Sequence, residues 1–206
     1  MKKTIASLCV AVTMAGVSGA ALAGDNGWYV LGAAGQTTSD NNKATLDSAL
    51  TSVGGIGFSS SYSKPTDYKL QVGYQINENF AAEGGYVGSN NATYTASGGN
   101  LAGPISASGS VSGWNLTAVG ILPIANQFSL LGKLGVADIR SGASVTGPGG
   151  TASASGSKTD LTYGLGAQYN FTNAVFGRFE LDSYKTGSST SSSRDTVWTL
   201  GVGYKF

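Results

Sequence analysis

The stretch Asp67-Tyr-Lys-Leu-Gln-Val-Gly-Tyr-Gln-Ile76 alternates without interruption between two kinds of side chain. Its even-numbered positions are apolar, and its odd-numbered positions are polar or small. Successive side chains of a β-strand point to opposite faces, so this pattern predicts a strand with one apolar face and one hydrated face.

The same alternation recurs along the rest of the chain. The opening stretch, Gly27 to Gln36, follows it less cleanly. Six further stretches follow it well: residues 80–86, 114–122, 128–134, 161–169, 175–181 and 198–206. We therefore predict eight strands.

The connections between these strands are of two kinds. Short turns with Asn or Pro are predicted at residues 77–79, 123–127 and 170–174. Long connections rich in Ser, Thr, Gly, Ala and Asn are predicted at residues 37–66, 89–111, 140–158 and 185–194. Long and short connections alternate, which predicts a meander of hairpins with all long loops at one end and both termini at the other.

The composition excludes much of enzyme chemistry. The 206 residues contain no histidine and a single cysteine, Cys9, so catalysis or metal binding through histidine is excluded. Only 11% of residues are charged, against roughly 25% in soluble domains. With 41% apolar residues, such a chain is expected to fold against something other than water. We expect no catalytic centre, no cofactor and no metal site.

The length of the predicted strands indicates that the chain spans a membrane. After Gly24 no apolar stretch reaches the roughly 18 residues of a membrane-spanning helix. Ten strand residues cover about 33 Å, or about 25 Å when tilted, which matches the apolar band of an outer membrane. Lipid offers no partner to a sheet edge, so the sheet must close. The sequence thus predicts an all-β fold, an eight-stranded antiparallel up-and-down transmembrane β-barrel.

A soluble alternative places the apolar face inward, as in a lipocalin-like barrel or a sandwich. Large aromatic residues near the predicted strand ends favour the membrane, because such residues gather at its two interfaces. They are Trp28, Tyr86, Trp114, Tyr169, Trp198 and Phe206.

The first 23 residues are predicted to be a secretory signal peptide. Lys2 and Lys3 precede an apolar run from Ile5 to Val17, and Ala21-Leu-Ala23 is a small-x-small cleavage site. An uncleaved anchor helix is the alternative. Residues 24–206 then form the barrel domain. Removing Lys2 and Lys3 from the 12 basic residues leaves 10 against 11 acidic ones, which predicts no nucleic-acid partner.

The C-terminal stretch resembles the signal by which outer-membrane barrels are recognised for insertion. Apolar residues occupy every second position back from a terminal aromatic residue: Trp198, Leu200, Val202, Tyr204 and Phe206. The barrel-assembly machinery, outer-membrane lipid and lipopolysaccharide are therefore expected partners. The expected location is the outer membrane of a Gram-negative bacterium, as a multi-pass protein with both termini in the periplasm.

Several strand stretches resemble a known family. They include Tyr68-Lys-Leu-Gln-Val-Gly-Tyr-Gln75, Phe80-Ala-Ala-Glu-Gly-Gly-Tyr86, Arg178-Phe-Glu180 and Leu200-Gly-Val-Gly-Tyr-Lys-Phe206. Together they resemble the transmembrane domain of the outer membrane protein A family, and more loosely the opacity and outer membrane protein X barrels. The resemblance covers the strands and short turns and leaves out the long loops.

This resemblance implies an inward cluster of charges that blocks or gates a narrow water path. The matching positions are Glu83, Lys133, Arg178 and Glu180, and Arg194 falls near another. One position departs from the family, because Val119 stands where a basic residue is expected.

Glu83, Lys133, Arg178 and Glu180 are also predicted to form a cluster from their charges alone. In the alternating pattern of their strands they occupy positions that face the barrel interior. An unpaired charge there would cost several kcal/mol, so these residues must pair. Eight strands leave little free lumen, which favours a structural plug over a conducting gate.

Two smaller predictions concern packing. Leu46, Ala49, Leu50 and Val53 have helical spacing, which predicts a short helix in the first long loop that packs on the loop or contacts lipid or a partner. Inward glycines such as Gly203 are expected to make room for neighbouring side chains.

We therefore expect a non-enzymatic outer-membrane barrel. It would contribute to envelope integrity and present its long loops to a host or surface ligand for adhesion. One alternative is a narrow channel for small solutes or ions. A lipid-modifying barrel enzyme is the other, and the absence of histidine weighs against it.

Overall fold

The computed structural model describes residues 27–38, 42–187 and 192–206. The expected signal peptide, residues 1–23, lies outside the described residues. Within them, no helix is both long enough and apolar enough to cross a membrane. The elements are β1 (Gly27–Thr37), α1 (Asn42–Ser52), β2 (Ser59–Ser63), β3 (Asp67–Gln75), β4 (Phe80–Ser89), β5 (Ala92–Ser97), β6 (Ile105–Ala125), β7 (Phe128–Gly147), β8 (Gly150–Asn170), β9 (Val175–Gly187) and β10 (Ser192–Lys205).

Eight of these strands form a closed ring. Its antiparallel order is β1, β3, β4, β6, β7, β8, β9, β10, and β1 pairs with both β3 and β10. The short turns lie at one end of the ring, here called the turn end, and α1, β2 and β5 belong to the opposite, loop end. The prediction of an eight-stranded up-and-down barrel is confirmed.

The two faces of the ring differ as the alternation predicts. In β3, Asp67, Lys69 and Gln71 are buried, whereas Leu70 and Val72 are exposed on the outside. Large apolar side chains are exposed on the other ring strands as well, including Leu116, Leu134, Leu165, Leu181 and Leu200. A soluble barrel would bury these side chains, so the soluble alternative is wrong and the exterior suits lipid.

Aromatic pairs border this apolar exterior at both ends. Near the turn end, Trp28 and Tyr74 meet edge to face with ring centroids 5.1 Å apart. Toward the loop end, Tyr86 and Trp114 meet in the same way, also at 5.1 Å. Amphipathic aromatic rings of this kind concentrate at the two interfaces of a membrane.

The interior near the turn end is filled by apolar side chains, among them Tyr29, Val119 and Phe176. A Cβ on Gly203 would overlap the Phe176 ring, so this inward glycine makes room for the ring as predicted.

The long connections predicted at residues 89–111 and 140–158 consist largely of strands. β7 and β8 remain paired as far as Gly147 and Gly150, and only Pro148 and Gly149 connect them. Gly150 has a φ of 118°, which favours glycine. The prediction of a loop over residues 140–158 is therefore wrong. Beyond the apolar band both strand faces meet water, so alternation no longer marks a strand.

These extensions form a sheet that projects from the loop end, here called the protruding sheet. It consists of β2, β5 and the adjoining parts of β6, β7 and β8, in that order. Among the described strands, β2 pairs only with β5, and residues 150–162 of β8 pair only with β7. The protruding sheet therefore has two open edges in the described part of the chain.

The helix predicted in the first long connection is confirmed as α1, although Val53 lies just beyond its end. Lys43 Nζ donates to Ser60 Oγ at 2.6 Å, and Tyr94 OH donates to Asp47 Oδ1 at 2.6 Å. These bonds attach α1 to β2 and β5.

Candidate functional site

The barrel interior contains a buried group of ionised side chains, here called the charge network. Four ring strands contribute to it, because each has at least one charged residue at an inward position. Its members are Lys69 on β3, Glu83 on β4, Lys133 on β7, and Arg178, Glu180 and Asp182 on β9.

Lys133 bridges two carboxylates from different strands. Its Nζ lies 2.6 Å from Glu83 Oε2 and 2.9 Å from Glu180 Oε1. Arg178 Nη1 forms ion pairs with the same two carboxylates, at 3.5 Å from Glu180 Oε1. The structure thus brings together the four residues expected to form the cluster.

Lys69 is a member that the sequence reasoning missed. Its Nζ forms an ion pair with Glu180 and lies 2.5 Å from Asp182 Oδ2. The signal was present in the sequence, because Lys69 occupies the hydrated face of the Asp67–Ile76 stretch.

Neutral groups complete the contacts of Arg178. Its Nε and Nη2 donate to Gln168 Oε1 at 3.1 and 2.8 Å. Its guanidinium lies 5.4 Å from the centre of the Tyr29 ring and 5.1 Å from that of Phe176. Tyr29 OH in turn donates to Glu83 Oε1 at 2.6 Å. The cation is held in place from several sides.

The charge network balances itself, with three cations and three carboxylates. All six side chains are buried, where an unpaired charge would be costly. No group of three or more His, Cys, Asp or Glu side chains within the described ranges is placed to hold a metal ion. The arrangement can cross-link strands and fill the lumen.

Arg194 does not join this network, and its expected inward position is wrong. The residue is exposed on the outside of β10, where its guanidinium lies 4.9 Å from the centre of the Tyr163 ring. Even-numbered residues of β10, such as Leu200, face outward, and Arg194 is one of them. Val119 faces inward and lies in the apolar cluster near the turn end.

The residues of the expected insertion signal lie along the outer face at the end of the chain. Trp198, Leu200 and Val202 are exposed, and the rings of Tyr204 and Phe206 meet edge to face at 5.4 Å. The backbone N–H of Phe206 donates to the carbonyl oxygen of Trp28 at 2.9 Å, which joins the end of β10 to the start of β1.

A closed ring, an apolar exterior between aromatic bands and a neutralised, buried charge network together define a small transmembrane β-barrel. Residues 7–206 match the family described as outer membrane protein beta-barrel domain. The chain belongs to that family, and it is an outer-membrane protein.

Solved structures support the same fold. Ail, the attachment invasion locus protein of Yersinia pestis, is 21% identical over 88% of this chain and 99% of its own, with a TM-score of 0.53. Ail in complex with the heparin analogue sucrose octasulfate is 20% identical over 89% of this chain and 100% of its own, with a TM-score of 0.52. No curated protein matches the chain.

Proposed function

We propose that this protein is a non-enzymatic surface-binding barrel that also contributes to envelope integrity. The observation that carries the proposal is the protruding sheet, which extends the ring strands β6, β7 and β8 beyond the apolar band. With both termini in the periplasm, this sheet faces the cell exterior.

The open edge of β8 supplies the binding chemistry. Residues 150–157 read Gly-Thr-Ala-Ser-Ala-Ser-Gly-Ser, so small side chains leave the backbone accessible. Unpaired N–H and C=O groups of an edge strand can pair with an extended segment of another protein. Toward the ring the edge ends at Thr162, just after Asp160, whose Oδ2 lies 2.9 Å from Lys185 Nζ. An extended peptide segment of a host or surface protein is the ligand that fits this edge.

The charge network supports a structural role for the lumen in preference to conduction. Lys69 and Lys133 both contact Glu180, and Lys133 also contacts Glu83 across the interior. A neutral, fully paired set of this kind fills space and ties strands together. A narrow channel is the rival function. Steady, reproducible conductance of the refolded protein in a planar bilayer would favour it.

A shortened hairpin tests the surface-binding role. Ala143 and Ala154 face each other in the β7–β8 register, so replacing residues 144–153 by Asn-Gly keeps the remaining pairs aligned. Cells that display the shortened variant should lose binding to host cells and matrix proteins, whereas cells with the intact protein bind.

The control is the amount of heat-modifiable barrel at the surface, which must be equal for both proteins. Equal binding by the intact and shortened proteins would show that the protruding sheet is not the binding surface.

A further inference from the structure

A cavity of about 510 Å³ lies at the loop end of the barrel, above the charge network, and is here called the mouth cavity. This volume is large enough for a small organic molecule. Much of its wall is apolar, formed by Val87, Val111, Ile139 and Val197. The mouth cavity can therefore accept a ligand with an aliphatic part.

One polar wall contains a buried carboxylate that has no cationic partner among the described residues. Asp67 is only 9% exposed and lines the mouth cavity. Its Oδ2 accepts a hydrogen bond from Thr37 Oγ1 at 2.7 Å. Among the described residues, no lysine or arginine forms an ion pair with Asp67. A buried ionised carboxylate without a counter-charge is disfavoured, so a cation bound at this position would stabilise the charged form of Asp67.

A second group points to the same ligand. Thr199 is 3% exposed and lines the mouth cavity, and its Oγ1 has no hydrogen-bond partner within the described residues. Buried hydroxyl groups are normally paired, so a free one at a cavity wall marks a place for a ligand atom.

Gly35 lies between the strand positions of these two groups. On β1 it pairs with Thr199 on one side and with Asp67 on the other. Glycine has no side chain to separate them, and a Cβ there would lie 2.8 Å from Thr199 Cα. Asp67 and Thr199 therefore belong to one patch of the wall, on the two strands that flank β1.

The remaining charges leave this patch acidic. Asp182 and Asp195 also line the mouth cavity, together with Lys64 and Lys69. The ammonium group of Lys69 is held by Glu180 and Asp182 at the cavity floor. Lys64 is exposed at the rim.

We propose that the mouth cavity binds a small organic ammonium ion, with one ammonium group at Asp67 and Thr199 and its aliphatic part against the apolar wall. The ammonium donates to the Asp67 carboxylate and to Thr199 Oγ1. A bare metal ion fits less well, because the described carboxylates are not grouped closely enough to ligate one. It would also leave the apolar wall empty.

The test compares probes of matched length that differ in charge. The intact barrel in lipid nanodiscs is titrated calorimetrically with cadaverine, 1,5-pentanediol, glutarate and Ca²⁺, with empty nanodiscs as the blank. We expect cadaverine to bind with millimolar or tighter affinity, and the diol and glutarate at least ten-fold more weakly. No cadaverine binding, equal binding of the diol or glutarate, or tighter binding of Ca²⁺ would overturn the proposal.

Variants locate the site. Asp67→Asn should weaken cadaverine binding at least ten-fold, and Thr199→Val several-fold. Asp160→Asn removes a carboxylate that does not line the mouth cavity and should change nothing. Val111→Phe fills the cavity without altering charge and should also weaken binding, so the test does not depend on Asp67→Asn folding. Unchanged affinity in Val111→Phe, or in a folded Asp67→Asn, would place binding elsewhere.

Discussion

At the scale of single residues, Lys133 joins two carboxylates that would otherwise repel each other. Truncating one member of a buried ion group typically costs about 3–5 kcal/mol. Lys133→Ala should fall near the lower end, because Arg178 still pairs with Glu83 and Lys69 with Glu180. Equilibrium unfolding in urea should show this loss, and adding Glu83→Gln should recover part of it.

The control for this variant is Lys185→Ala. Lys185 and Asp160 form a pair whose side chains are partly exposed, so its removal should cost less than about 1 kcal/mol. A plug is contradicted if Lys133→Ala leaves the unfolding midpoint unchanged and increases single-channel current.

A second residue-scale prediction concerns the space that an inward glycine leaves. Gly203→Val would overlap the Phe176 ring, and overpacking of this kind typically costs about 1–3 kcal/mol. Gly132→Val is the matched control, because no atom lies within 4 Å of a Cβ at that outward position. Urea unfolding should separate the two variants, and equal midpoints would contradict the described interior packing.

The alternation of odd and even positions along each strand was enough to predict most of the interior residues. It assigned Glu83, Lys133 and Glu180 to the inside, and it also contained the position of Lys69. The cation partner of Glu180 and Asp182 was missed because pairing between distant strands depends on their register and stagger. Arg194 shows the opposite case. Its inward position was expected from the family resemblance, although the alternation of β10 places even-numbered residues on the outside.

At the scale of elements, one of the two attachments of α1, the bond between Asp47 and Tyr94 of β5, runs through a carboxylate. Lys43 Nζ donates to Asp47 Oδ2 at 2.6 Å, and with the further hydrogen bonds of Ser60 and Tyr94 this lowers the pKa of Asp47 from 3.8 to about 2. A lowered carboxyl pKa means that the contribution of Asp47 to this attachment is complete above about pH 4 and is lost as the pH falls toward 2.

An NMR titration of the Asp47 carboxyl in the refolded protein checks this pH dependence. Lys43→Ala should shift the midpoint upward toward the ordinary value. Asp47→Asn should remove the change in α1 amide protection between pH 4 and pH 2. A midpoint near 4 in the unsubstituted protein would show that α1 is not attached through Asp47.

The sequence predicted the ring strands better than the elements beyond the membrane. Alternation depends on a contrast between lipid and interior, and it fades where both faces of a strand meet water. The Ser- and Gly-rich residues 140–158 therefore resembled a loop, although their backbone register continues to Gly147 and Gly150.

At the scale of the whole molecule, the end of the chain is proposed to direct assembly. Deleting Phe206 removes the terminal aromatic residue and its bond to the backbone of Trp28, which joins β10 to β1. We expect slower or failed assembly while export across the inner membrane continues. Pulse-chase detection of heat-modifiable, protease-resistant protein measures this, and normal amounts from the truncated gene would exclude the signal.

The central claim is that one face of the ring meets lipid and the other meets a packed interior. Methyl NMR signals of the protein in nanodiscs, recorded with a spin label in the lipid tails and then with a water-soluble gadolinium chelate, test it without any substitution. The lipid label should broaden Leu200 and Val202, whereas Leu31 and Val119, at buried inward positions, should be spared. The chelate should broaden Val145 on the protruding sheet. Equal broadening of inward and outward methyl groups by the lipid label, or broadening of Leu200 by the chelate, would contradict the barrel.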